Sequence, residues 1–288
     1  MRRLYIVVQI LTSLTVLFLP GLSFSEERPP TVVPEYSGPH IEVNVAARKL
    51  KVLDHDNKLV KVYDVAVGSG RYPTPLGMRE MDQIIWNPWW LPPPSDWAKN
   101  DKPTPPGAHN PLGPVKMHLG SAILIHGTNK PQSVGHAASH GCVRMRSEEA
   151  LDLAWHIQSQ VSASNDLALK DQYAKQRGRS FYVTLDQKVP VNIMYDVAEV
   201  RDGQLYIYQD VYGRVRDKMG RVTEVLLENG LKIENLDLKL VEEKIRAGKN
   251  TTDLAFEIAS LMPDPGERDR YLAKIHKPRE QVASMHFE

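Results

Sequence analysis

The chain has 288 residues, is 42% hydrophobic and carries a formal net charge of +1. That is enough apolar material for one sizeable core and a smaller second unit, and the near-neutral balance excludes a strong field toward nucleic acid. A charged fraction of 25% is ordinary for a soluble protein.

The chain begins as an export signal does. Arg2 and Arg3 form a basic start, residues 4–19 are mostly apolar, Pro20-Gly21 breaks the run, and Ser23-Phe24-Ser25 offers small residues for cleavage. A cleaved signal peptide over 1–25 is therefore expected, with export to the periplasm or cell envelope. The alternative is a retained anchor, although the apolar run is slightly short for a span. Pro29, Pro30, Pro34 and Pro39 make 26–39 a proline-rich linker.

Folded structure is expected from residue 40. Ile41, Val43 and Val45 alternate, 50–53 follows, an Asp/Asn turn occupies 54–57, and 59–67 alternates again, which predicts a hairpin. Gly68-Ser69-Gly70 closes it, and Pro73-Thr74-Pro75-Leu76-Gly77 has the residues of a tight turn. Segment 88–114 is dense in proline, which excludes central strands and helix interiors. Trp86, Trp89, Trp90 and Trp97 argue against a disordered linker there. Two readings stand: a surface loop held to a sheet by its own aromatics, or a lid whose aromatic faces meet sugar or peptide.

Strands are expected at 115–119 and 122–125, joined at Gly120-Ser121, with His126 at the end of the second and His118 a packed or surface residue. A helix follows Arg146, with Ser147 as its N-cap, Glu148 and Glu149 in its first turn, and Ala150, Leu153, Ala154 and Ile157 as its core stripe. Residues 180–185 read as a last strand. Beyond it, 189–195 and 205–208 read as strands and 236–247 and 255–272 as helical, the latter broken at Pro263-Asp264-Pro265-Gly266, a small α+β appendage of unreadable purpose. Tyr195, Tyr206, Tyr208 and Tyr212 are expected to pack within its sheet.

The chemistry concentrates in residues 125–146. They hold the only cysteine, Cys142, three histidines, His126, His136 and His140, and glycines at 127, 135 and 141. A free thiol has a pKa of about 8.5, so it is mostly protonated at neutral pH. A neighbouring imidazole takes that proton and stabilises the thiolate. Glycine lets the backbone approach a substrate closely, and nearby amides can cradle an oxyanion. A buried, inert cysteine is the bland reading, and the polar, His-rich setting opposes it. A single cysteine in an exported chain closes no internal disulfide, so a reactive thiol is the leading reading. A zinc site of His126, His136, His140 and Cys142 lacks Cys-x-x-Cys or His-Glu-x-x-His spacing; no metal and no cofactor are expected.

His126-Gly127-Thr128, then Gly135, then Ser139-His140-Gly141-Cys142-Val143-Arg144-Met145 resembles the signature of L,D-transpeptidases of the YkuD type, the ErfK/YbiS-like family. The resemblance covers roughly residues 41–185. It implies a mainly β, sandwich-type catalytic domain with a few short helices over 40–187, and leaves 188–288 as an extension of unknown role. It further implies a peptidoglycan L,D-transpeptidase: Cys142 attacks a carbonyl beside a D-amino acid in a donor tetrapeptide, releases terminal D-Ala, and passes the acyl group to an amine. The expected partners are stem peptides, with a wall-linked envelope protein as another acceptor, and no nucleic acid.

In this reading Cys142 is the nucleophile and His126, matching the family's first histidine, is the base, oriented by the Gly127 carbonyl. His140, two residues from Cys142, is the rival base. Ser139, His140 and Gly141 shape the oxyanion site, and Arg144 holds a carboxylate or a loop carbonyl. Arg146 and His136 are assigned to the surface. A hydrolase of the same fold, a zinc hydrolase and a non-catalytic wall-binding module are the alternatives.

Overall fold

The computed structural model describes residues 37–248 and 252–275. The expected signal peptide and most of the expected linker lie outside the described residues. Strands β1 (His40–Asn44), β2 (Lys49–Leu53) and β3 (Leu59–Asp64) come first, followed by the short β4 (Val67–Gly68) and the long β5 (Gly77–Trp86). Then come β6 (Val115–His118), β7 (Leu124–His126), β8 (Ala137–Ser139) and β9 (Val143–Arg144). Helices α1 (Ser147–Val161) and α2 (Leu167–Lys175) precede β10 (Phe181–Met194). The remainder is β11 (Ala198–Arg201), β12 (Gln204–Ile207), α3 (Lys218–Glu228), α4 (Lys239–Ala247), β13 (Leu254–Glu257) and α5 (Pro265–Ile275).

Eight strands form one sheet in the order β3-β2-β1-β10-β5-β6-β7-β9, while β4 and β8 pair separately. The sheet curls until its edges meet. Ala66, just past β3, exchanges backbone hydrogen bonds of 2.8 and 2.9 Å with Arg144 of β9 at the opposite edge. Val43, Val52, Ile84, Met117, Ile125 and Val191 turn inward, and Ala150, Leu153, Ala154 and Ile157 of α1 complete the same core. The domain is mainly β, and the helical stripe read from the sequence is the face that α1 buries. Ser147 is the first residue of α1 rather than its cap. Its hydroxyl donates to the Thr128 carbonyl at 3.2 Å and ties the helix to the loop after His126.

The 187/188 boundary falls inside β10. That strand lies between β1 and β5, and its register against β5 shifts between Thr184 and Val189. Val183 before the shift, Leu185 at its start and Val189, Val191 and Ile193 after it all enter the main core. A bulge absorbs the polar Asp186-Gln187-Lys188, so the two strands expected there are one. The second core begins at Ala198 and gathers Leu205, Ile207, Val222, Leu226, Val241 and Ile258. The helix expected over 255–272 is corrected ahead of its expected break: Leu254–Glu257 forms β13 and pairs with β12, a 3-10 turn spans Ile258–Leu261, and α-helix begins at Pro265, inside that break.

Candidate active site

Three neighbouring strands make the floor of the site. Lys116 of β6 stands opposite His126 of β7, which stands opposite Arg144 of β9. One step along, His118 stands opposite Leu124, and the parallel pairing of Ile125 with Val143 carries Cys142 alongside Leu124. Residues opposite one another share a sheet face. All six side chains line one cavity of about 460 Å³.

His126 is 5% exposed. Its Nδ1 lies 2.5 Å from the Gly127 carbonyl oxygen, which can only accept, so Nδ1 carries the hydrogen and Nε2 is left as the acceptor. Burial holds its pKa down at about 4, the Gly127 bond opposing and the charges of Arg144 and Lys116 adding to the fall. The ring is neutral at physiological pH and has one fixed tautomer. Gly127 is itself wedged: a Cβ there would lie 2.9 Å from Pro114 Cδ, and one on Gly113, whose φ is +64°, would lie 2.8 Å from the Gly127 carbonyl carbon. Two facing glycines thus hold the carbonyl that orients the His126 ring.

Cys142 is half-buried. Its thiol points to the Ala122 carbonyl at 3.7 Å. That carbonyl is delivered by a strained turn in which Gly120, Ser121 and Ala122 all have positive φ. Burial pushes the thiol above its ordinary value, while a backbone hydrogen bond at Leu124 and the charges of Arg144 and Lys116 pull it back.

The Ser139–Cys142 turn is held from within. Ser139 Oγ donates to the Cys142 carbonyl at 2.5 Å and accepts the Gly141 N–H at 3.0 Å. The Gly141 amide is therefore engaged, and what Gly141 supplies is its φ of +111°. His140 is exposed; its ring lies flat on Trp97, with centroids 4.0 Å apart, and Tyr72 tilts against it at 4.8 Å. Arg144 Nη1 donates to the Ala138 carbonyl at 3.3 Å. His136 is exposed and outside the cavity lining. The zinc alternative needs its four ligands to converge, and His136 lies outside the cavity that His126, His140 and Cys142 line.

Segment 88–114 forms a wall of the cavity through Trp90, Leu91, Pro93, Trp97, Pro111 and Leu112. It is pinned by Asn110, fully buried, whose amide donates to the Pro88 carbonyl at 2.8 Å and the Pro105 carbonyl at 3.0 Å. Sequence reasoning passed over Asn110, Gly113, Lys116 and the Ala122 carbonyl, and set His118 aside. A hairpin folded about Ser121 does place Lys116 opposite His126, so that signal was present.

The family model described as the L,D-transpeptidase catalytic domain, YkuD, matches residues 38–191. The chain belongs to that family. The YkuD-type match ends inside β10, short of the second core. A probable L,D-transpeptidase ErfK/SrfK of Escherichia coli K12 is 29% identical over 126 residues, 41% of this chain and 41% of that protein. A putative L,D-transpeptidase YkuD of Bacillus licheniformis is 33% identical over 140 residues, 48% of this chain and 66% of that protein. The chain thus spans less than two thirds of either relative. An L,D-transpeptidase structure from Mycobacterium tuberculosis H37Rv aligns at 13% identity with a TM-score of 0.34, covering 55% of this chain and 57% of that one. The catalytic domain from the Enterococcus faecium L,D-transpeptidase aligns at 16% identity with a TM-score of 0.34, covering 56% of this chain and 100% of that one.

Proposed function

We propose that this chain is a peptidoglycan L,D-transpeptidase working through a thioester on Cys142. The observation that carries the proposal is the shared cavity of Cys142 and His126, with His126 neutral and its Nε2 free by tautomer. A raised thiol beside an imidazole at about 4 disfavours a resting thiolate–imidazolium pair. Proton transfer then accompanies attack: Cys142 Sγ bonds to the carbonyl carbon of the donor tetrapeptide while its proton passes to His126 Nε2. The tetrahedral oxyanion is taken by backbone amides of the Ser139–Cys142 turn. Gly141 N–H is committed to Ser139, so those of His140 and Cys142 are assigned this role. Collapse breaks the C–N bond, and the leaving D-Ala amine takes the proton from His126. An acceptor amine, on a second stem peptide or a wall-linked envelope protein, attacks the thioester and returns its proton to sulfur through the same ring.

This chemistry suits an exported enzyme of the cell envelope. Among the described residues no helix is long and apolar enough to cross a membrane.

Incubation with purified disaccharide-tetrapeptides, followed by mass spectrometry of protein and products, tests the reading. The parent gains an acyl adduct on Cys142 and yields cross-linked or acceptor-bearing product. Cys142→Ala gains none. An adduct surviving in that variant overturns the nucleophile, and release of free tripeptide alone replaces transfer by hydrolysis.

A further inference from the structure

Lys116 is a half-buried cation on the cavity floor. Among the described residues no carboxylate lies in salt-bridge range of it, whereas Lys49, Lys51, Lys61 and Lys188 each hold an acid. Burial lowers its ammonium, and the charge acting in the other direction is that of the Cys142 thiolate. On the far side of His126, Arg144 spends one nitrogen on the Ala138 carbonyl and also lines the cavity. Two cations thus flank the base in the same row of the sheet. A partly desolvated cation without an acid calls for an anion from outside.

We propose that Lys116, with Arg144, receives the terminal carboxylate of the donor peptide, and that Lys116 is the residue selecting an anionic donor end. This rests on the reading of Cys142 as the acylated thiol. The terminal carboxylate of a donor ending in a D-amino acid lies one residue beyond the scissile carbonyl. Seating it over the cations of β6 and β9 sets that carbonyl beside Cys142. The other wall, built by Trp90, Leu91 and Trp97, is left for the apolar parts of the peptide.

The test uses the intact protein and two small alkylating agents, iodoacetate and iodoacetamide, which differ by one negative charge. The ratio of their rates at Cys142 cancels the thiolate fraction and reports anion recruitment alone. Lys116→Met should lower the iodoacetate to iodoacetamide ratio about tenfold, the scale of one charge-assisted contact. Lys116→Arg should keep it within about twofold of the parent. Lys116→Gln replaces the Met variant if that one fails to fold. With peptide, Lys116→Met should raise KM more than it lowers kcat, and amidating the donor terminus should mimic the mutation in the parent and add little in the variant. An unchanged ratio in a folded Lys116→Met or Lys116→Gln protein overturns the proposal. If the acyl adduct on Cys142 still forms in that case, the proposed function stands and only the role of Lys116 falls. If peptide gives no adduct but the ratio drops, the reverse holds.

Discussion

At the residue scale, burial keeps the two groups proposed to exchange a proton, Cys142 and His126, uncharged at neutral pH. His126 is held at about 4 because it is buried between two cations, and Cys142 is raised because burial outweighs those same cations. The consequence is visible in pH dependence. The thiol is alkylated only as thiolate, so its iodoacetamide rate should keep climbing through pH 8 and beyond the ordinary thiol value. It should show no inflection near 6.5, because His126 changes charge only near pH 4. A rate flat from pH 5 to 8 would mean a preformed ion pair and contradict this picture. Cys142 was legible in the sequence because a lone thiol declares itself by type, and His126 because it matches the first histidine of the family's motif. The Ala122 carbonyl and the Gly113–Gly127 wedge were not, since a backbone atom has no side-chain signature and a close approach of two glycines depends on how distant segments pack.

At the element scale, the turn 68–74 links the appendage to the catalytic motif. Tyr212 Oη donates to the Gly68 carbonyl at 2.7 Å and accepts the Thr74 N–H at 3.0 Å. Gly68 N–H is in turn bound to Thr74 Oγ at 2.8 Å. This turn presents Tyr72 to His140 and brings the Pro73 carbonyl to within 3.8 Å of where a Gly141 Cβ would stand. Tyr212 is fixed by stacking on Tyr195, with centroids 5.4 Å apart, and Tyr195 bonds Asp210 at 2.5 Å. Tyr212→Phe keeps the stacking and removes both hydroxyl bonds. It should cost about 1 kcal/mol of stability and slow acyl-enzyme formation several-fold, measured by intact mass against time alongside a melting curve. An unchanged acylation rate would reduce Tyr212 to packing. The sequence placed these tyrosines in a sheet of their own because nothing local tells a hydroxyl which turn, some 140 residues earlier in the chain, it will meet. The split of β10 has a similar origin: Asp186-Gln187-Lys188 and Pro190 read as a break, and only pairing with β5 turns them into a bulge.

At the scale of the whole molecule, the first hairpin, the strands beside His126 and the stripe of α1 were predictable because their period is local. The order of the sheet, its closure through Ala66 and Arg144, and the insertion of β10 between β1 and β5 are non-local, and no window of sequence contains them. Parallel pairing sets β9, which carries the motif's end, beside β7, which carries His126. The molecule's architecture therefore favours His126 over His140, whose ring is stacked against Trp97. The most direct test is the rate at which an acyl-enzyme forms on Cys142, followed by intact mass with a carbapenem or the donor tetrapeptide, in His126→Asn and His140→Asn. His126→Asn should lose roughly 100-fold or more, the range of general-base catalysis, and His140→Asn less than about tenfold. Near-parent acylation in His126→Asn, with the large loss in His140→Asn instead, would contradict His126 as the base.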